Sequence, residues 1–287
     1  MSIEGRIEGS TEGSIEDLIG FTKPLPPDIA EDLADLPAAP ARLAVAAETR
    51  NLDCLADWRE FEALWFYSVK DAQLAEILPS VEPRYLSIVG FKAADLAFLP
   101  PFARLEALEL GHNTKLADLS GLSGFTGLRL LSLLSCPEVR DIAPIGALAN
   151  LEVLDLGGGM WDKFRTATLA PLSRLEKLRF VALKAIRVED ESLEPLAGLG
   201  RLEGLELSNQ FPTQEYARLS VALPQADCEM FQPFTEANIG RKERTVMVTG
   251  KRKPFLTLPG DAEKLERYVA RFREMQEKFR AEGWGAD

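Results

Sequence analysis

The chain has 287 residues, 46% of them hydrophobic and 27% charged, the profile of a folded protein with room for one extended or two compact domains. A formal net charge of -12 opposes attraction to nucleic acid phosphates or anionic lipid, so nucleic acid is not an expected partner and a basic or neutral protein is. Three scattered cysteines and one histidine give neither a disulfide framework nor metal-ligand spacing. No cofactor is expected, a reducing compartment fits, and the default location is the cytoplasm.

Residues 1–19 repeat a Glu-Gly unit with little apolar content, which reads as a flexible acidic tail; Ile3–Arg6 also spells a common engineered cleavage sequence, so a remnant of one is the alternative. Residues 20–39 carry Pro24, Pro26, Pro27 and Pro37 around Ile29, Leu33 and Leu36, and suit an N-terminal cap of a helical turn or two. No segment approaches the ~20 apolar residues of a membrane span.

From there a pattern of Leu-x-x-Leu-x-Leu type returns every 22 to 27 residues. Copies begin at Phe61, Pro83, Leu105, Leu128, Leu151, Leu175 and Leu202, with a degenerate first copy at Pro40. The copy from Leu105 continues with Asn113 and then apolar residues at every third place: Leu116, Leu119, Leu122 and Phe125. One such unit cannot bury its own apolar face and must stack on the next, so residues 40–224 predict a solenoid.

Residues 225–287 lose the period. Thr245–Thr249 and Phe255–Leu258 read as two strands of a hairpin joined through Gly250–Pro254, and Asp261 precedes a helix carrying Leu265, Tyr268, Val269, Phe272, Met275 and Phe279 on one stripe. This hairpin and amphipathic helix are expected to cap the last repeat.

The segments Leu116–Leu133 and Ile142–Leu156 resemble the leucine-rich repeat superfamily, in particular the short-repeat class of internalins and protein phosphatase 1 regulatory subunits. The resemblance covers residues 40–224 and implies an α/β solenoid with parallel strands on the concave face. It also implies a side-chain amide ladder at the ninth position, where Asn113 is the only asparagine. Val69, Phe91, Cys136, Gly159, Leu183 and Gln210 occupy that place in the other copies. Fold alone does not name a partner.

Strand side chains alternate, so with positions 4 and 6 of each repeat buried, positions 3, 5 and 7 face outward on the open side. Seven such strands make a sheet on the order of 29 Å wide, suited to a protein surface and too open for a small substrate. The expected contact residues are Trp65, Tyr67, Tyr85, Val89, Glu109, Leu130, Leu134, Val153, Asp155, Lys177 and Arg179, with the aromatics as anchors. His112, at position 8, and Trp161, after the Gly157–Gly159 run, complete the candidate surface. Trp161 and Phe164 have core packing as their alternative reading, and the aromatic end has the alternative of cover by the N-terminal cap.

The expected function is a non-enzymatic scaffold that binds a protein on the concave face. A second reading places function in the C-terminal module, whose basic residues Arg241, Lys242, Arg244, Lys251, Arg252 and Lys253 suit an effector or nucleic-acid contact. A third, catalytic reading through His112 paired with Cys136, or through Cys228, is the weakest, because position 8 faces solvent and position 9 turns inward.

Overall fold

The computed structural model describes residues 24–159, 162–237 and 243–285. Among these residues thirteen strands and three α-helices are laid out in chain order: β1 (Arg42–Ala46), β2 (Glu60–Tyr67), α1 (Asp71–Ile77), β3 (Glu82–Val89), β4 (Ala107–Gly111), β5 (Leu130–Leu134), β6 (Val153–Gly157), β7 (Phe164–Thr166), β8 (Phe180–Lys184), β9 (Ile186–Val188), β10 (Gly204–Leu207), α2 (Thr213–Ala222), β11 (Phe234–Glu236), β12 (Thr245–Val248), β13 (Phe255–Thr257) and α3 (Ala262–Ala281). β1, β2, β3, β4, β5, β6, β8 and β10 form one open parallel sheet in that order. Eight strands at ~4.8 Å spacing span about 34 Å.

Each coil is built alike. The strand's positions 4 and 6 point into the core, as at Leu108 and Leu110 or Leu131 and Leu133, all fully buried. The next residue but one reverses the chain in a left-handed conformation: Ser68, Gly90, His112, Ser135 and Ala185 have φ of 55°, 82°, 53°, 54° and 47°. Its amide still bonds to the following strand, as His112 N–H does to Leu134 O at 2.9 Å and Ser135 N–H to Gly157 O at 2.9 Å, so the ladder runs one residue past the sheet. Position 9 then turns inward, and Val69, Phe91, Asn113, Cys136 and Ile186 are each at most 2% exposed.

The convex side returns through short 3-10 turns at Ser120–Gly124, Ala143–Ala147, Ala170–Arg174 and Glu194–Leu196, which bury Leu122, Ile145, Leu172 and Leu196. A side-chain oxygen two residues ahead of a turn amide sets these turns. Ser120 N–H donates to Asp118 at 2.7 Å, Ala143 N–H to Asp141 at 2.8 Å, Ala170 N–H to Thr168 at 3.1 Å and Glu194 N–H to Ser192 at 3.2 Å. Such short polar side chains compete well for nearby backbone donors, which explains why they punctuate each coil. Each buried leucine contributes roughly 1.5–3 kcal/mol, and the continuous core from Leu33 to Phe272 is the sum of many such burials.

One expected register is corrected. Val153 of β6 stands beside Phe180, Leu154 beside Val181 and Leu156 beside Leu183, so the seventh strand copy opens at Leu178, three residues later than the copy placed at Leu175. Ile186, not Leu183, therefore takes the ninth position. The LEKLRF stretch fits the consensus spacing as well as LRFVAL does, but only the second keeps Lys177 off the open face and seats Val181, which is fully buried. The extra length accordingly lies in the copy from Leu151, where it forms β7. β7 pairs in parallel with β9 as a second, two-stranded sheet beyond the ends of β6 and β8.

Both ends are covered. On the N-terminal side Ile29 bridges to Ala44 and Asp32 to Arg50, while Leu33 in the Leu33–Asp35 turn is fully buried. On the C-terminal side Asp227 bridges to Gly204 and α2 packs behind the last coil. β12 and β13 pair antiparallel through the expected hairpin, and β11 adds a third strand that the sequence reading missed. α3 lies against α2, with Phe272 1% exposed and Gln276 Nε2 donating to Ser220 Oγ at 2.8 Å.

Candidate protein-interaction face

The concave side of the sheet carries positions 3, 5 and 7 of each coil. From β1 to β6 Ala44, Ala63, Trp65, Tyr85, Ala107, Leu130 and Val153 form an apolar cluster separate from the main core, with Tyr67 and Phe180 half-buried at its margin. The two rings at its centre meet at 5.2 Å with a 44° tilt, a geometry of favourable edge contact. The alanines on three strands leave the room that these rings fill.

Trp65, Tyr85, Leu130 and Val153 are 3%, 1%, 4% and 5% exposed. The expectation that they stand open as anchors is corrected: strands one ladder spacing apart bring side chains at equivalent positions into contact, and these four pack with Ala44, Ala63 and Ala107 into one buried cluster. Tyr85 also donates its hydroxyl proton to Glu109 Oε2 at 2.6 Å. Burial first, and then the Glu109 charge, holds the Tyr85 hydroxyl far above the ordinary phenol range; Tyr67 is raised by the same two causes.

The accessible part of the face is a margin of half-buried side chains: Tyr67, Val89, Glu109, Leu134, Asp155 and Phe180. Ser132 Oγ donates to Asp155 Oδ2 at 3.4 Å, and Lys184 pairs with Glu206 at the C-terminal end. Phe180 and Lys184 join the face through the corrected register.

Lys177 and Arg179 leave it for the same reason. Lys177 sits before the strand, its ammonium on Asn150 Oδ1 at 2.6 Å. Arg179 belongs to a row of alternating charge along the strand entrances that sequence reading overlooked. Arg84 binds Glu106 at 2.8 Å, Arg129 lies between Glu106 at 3.4 Å and Glu152 at 2.7 Å, and Arg179 lies between Glu152 at 3.8 Å and Glu203 at 2.7 Å. The signal was present: the second position of successive copies reads Glu62, Arg84, Glu106, Arg129, Glu152, Arg179, Glu203 once the register is right.

His112 is exposed at its left-handed turn, whereas Cys136 is fully buried with its thiol directed to Leu134 O at 3.6 Å, and burial pushes that thiol up to about 11. Cys228 is buried too and pushed up to about 12. Both thiols are therefore held protonated at neutral pH, the opposite of what a nucleophile needs. Among the described residues no group of three His, Cys, Asp or Glu is placed to hold a metal, and no helix is long and apolar enough to cross a membrane.

Trp161 lies outside the described residues, as do Arg241 and Lys242. Phe164 is 1% exposed within β7 and packs in the core. Of the remaining basic residues, Arg244 pairs with Glu236, Lys251 with Glu191, and Lys253 stands 5.6 Å over the Tyr268 ring.

Stacked strand-and-turn coils, an inward-turned ninth position and an open parallel concave sheet are the defining geometry of a leucine-rich repeat solenoid, and the chain resembles that superfamily in both sequence pattern and architecture. Solved structures similar to it include an internalin of Listeria monocytogenes, at 17% identity over 65% of this chain and 59% of that one, with a TM-score of 0.48. A leucine-rich repeat protein of Leptospira interrogans matches at 15% identity over 58% of this chain and 54% of that one, with a TM-score of 0.40. TLR13, solved in complex with ssRNA13, matches at 15% identity over 65% of this chain and 32% of that one, with a TM-score of 0.41. The chain thus spans less than two thirds of the length of each of these three. No protein-family model and no curated protein sequence matches it.

Proposed function

We propose that the chain is a non-enzymatic scaffold that binds a protein partner on its concave face. The observation that carries this reading is the margin of half-buried apolar side chains, Tyr67, Val89, Leu134 and Phe180, set around an already packed cluster and interspersed with Glu109, Asp155, Lys184 and Glu206. A rigid floor lowers the ordering cost of binding, and a rim of both charge signs orients a partner. The face is broad and open, which suits a protein surface over a desolvated small substrate. The buried, protonated thiols support the non-enzymatic part of the reading.

The test is cross-linking from the face itself. A photo-reactive residue at position 134 is expected to capture a partner from source lysate, and the triple variant Tyr67→Ser, Val89→Asp, Phe180→Ser to lose the adduct while its melting temperature stays close to wild type. Capture that persists in that variant, with the fold intact, sinks the concave-face assignment.

A further inference from the structure

At the C-terminal end of the solenoid, on the side where strands leave the sheet, lies a cavity of about 360 Å³. One wall is β9 with Lys163, the residue before β7, and the other is Lys251 and Arg252 from the turn of the C-terminal hairpin. Lys163, Arg187, Lys251 and Arg252 line it together with Asn209 and Glu191.

The charge arrangement is unusual for a chain of net charge -12. Arg165 and Arg187 are direct cross-strand partners, both exposed on the same face, where like charges oppose pairing. Among the described residues no carboxylate reaches ion-pair distance of Lys163, Arg165, Arg187 or Arg252, in contrast to the fully paired row from Arg84 to Glu203. Only Lys251 has an anionic partner, Glu191.

The turn that brings in Lys251 and Arg252 is fixed to the last coil. Asn209 accepts from Gly250 N–H at 2.6 Å and donates to Val248 O at 2.9 Å; Lys251 N–H donates to Phe211 O at 2.7 Å, and Thr213 Oγ1 to Thr249 O at 3.0 Å. Arg252 itself holds a left-handed conformation, φ 59°, which a side chain with a Cβ disfavours. Cations converge here on a preorganised frame, with Glu191 the one carboxylate in the lining to offset their repulsion.

We propose that this cleft binds a phosphorylated side chain of a protein partner. The assignment rests on the reading of the chain as a protein-binding scaffold. Two guanidinium groups and two ammonium groups around one small cavity match a compact dianion with several acceptor oxygens better than a single carboxylate. The acidic ridge Glu189–Asp190–Glu191 at the rim and the overall negative charge oppose a long polyanion, and the one ring in the cavity, Phe211, is 2% exposed and so offers no stacking platform for bases. Glu191 holds Lys251 until the phosphate competes for it.

The experiment titrates the full chain calorimetrically with a phosphoserine peptide flanked by glycines, its unphosphorylated twin, inorganic phosphate and a short single-stranded RNA, at low and physiological salt. Saturable binding of the phosphopeptide and not of its twin is expected, falling by about tenfold or more in Arg187→Gln/Arg252→Gln and tightening several-fold in Glu191→Gln. Arg187 and Arg252 are exposed and Glu191 is half-buried, with none of the three in the core, so these variants keep wild-type melting. Absence of saturable phosphopeptide binding, equal affinity in the double arginine variant, inorganic phosphate binding as tightly as the peptide, or RNA binding more tightly than the peptide each overturns the proposal. The concave-face reading is independent of these outcomes, since its own variants lie at Tyr67, Val89 and Phe180.

Discussion

Tyr85 donates its hydroxyl proton to Glu109 on the adjacent strand across 2.6 Å, at the border between a packed aromatic cluster and the open concave face. This bond ties the buried floor of the face to its charged rim. Tyr85→Phe is expected to lower unfolding free energy by about 1–2 kcal/mol, the value of a hydrogen bond to a charged group, and Tyr85→Ala by about 3–5 kcal/mol through the cavity it leaves. Urea denaturation separates the two. Equal, negligible losses would show the ring to be a surface residue.

Arg179 holds the Glu203 carboxyl below the ordinary carboxylate range, chiefly through the paired hydrogen bonds at 2.7 and 3.0 Å. A depressed folded-state pKa contributes stability that is present above the unfolded value of about 4.3 and is lost as pH falls through the folded value. Arg179→Met is therefore expected to destabilise at pH 7 by no more than about 1 kcal/mol, because the pair is a third to a half exposed, and by less at acid pH. A wild-type minus variant difference that grows on acidification would contradict the pairing.

Cys136 and Cys228 titrate at the other end of the scale. Burial raises both thiols, to about 11 and about 12, so their contribution to stability is full below the unfolded value of about 8.5 and is lost as pH rises through the folded values. The double variant Cys136→Ala/Cys228→Ala is expected to show a flatter alkaline limb above that pH, whatever its stability at neutrality. Thiol labelling of the native protein checks the same burial: Cys54, which is partly exposed, reacts first, and the other two only after unfolding.

Asn113 is the one ninth-position asparagine, and it makes three bonds: Nδ2–H to Ala93 O at 2.9 Å, and Oδ1 from the Lys115 and Leu116 amides at 2.6 and 2.8 Å. Asn113→Ala leaves these buried and partly buried backbone groups without their partner and is expected to cost about 2–4 kcal/mol. Native-state hydrogen exchange should localise the loss to the Leu116 and Lys115 amides.

Gly157 and Gly158 differ sharply in what a methyl group would meet. At Gly158 a Cβ would stand 2.0 Å from Asp162 O and 2.7 Å from Lys163 Cα, both backbone, whereas at Gly157 the nearest atom, at 2.9 Å, is the tip of the Leu134 side chain. Gly158→Ala is expected to cost several times more stability than Gly157→Ala, and to displace Lys163 from the basic cleft. Thermal melts of the pair, with phosphopeptide titration of the survivor, test both effects.

The repeat was legible in sequence because its period is carried by buried leucines, whose spacing cannot drift without breaking the stack. The hairpin and α3 were legible through alternation and helical spacing. Register in the seventh copy was not, because Leu175, Leu178 and Phe180 satisfy the apolar pattern as well as Leu178, Val181 and Leu183 do, and only pairing with β6 decides between them. That ambiguity hid both Phe180 on the concave face and Arg179 in the charged row. The burial of Trp65 and Tyr85 was equally out of reach, since position alone tells which side a ring faces and not what packs against it there.

The charged row also sets a parity on the solenoid. Charge alternates from one coil to the next, so the arrangement repeats every second coil and not every coil. Excising one coil, say residues 128–150, would bring Glu106 against Glu152, while excising two, residues 128–177, would leave Glu106 beside Arg179 and the alternation whole. Length changes in this molecule are accordingly best tolerated in pairs, a rule of counting that no individual repeat contains.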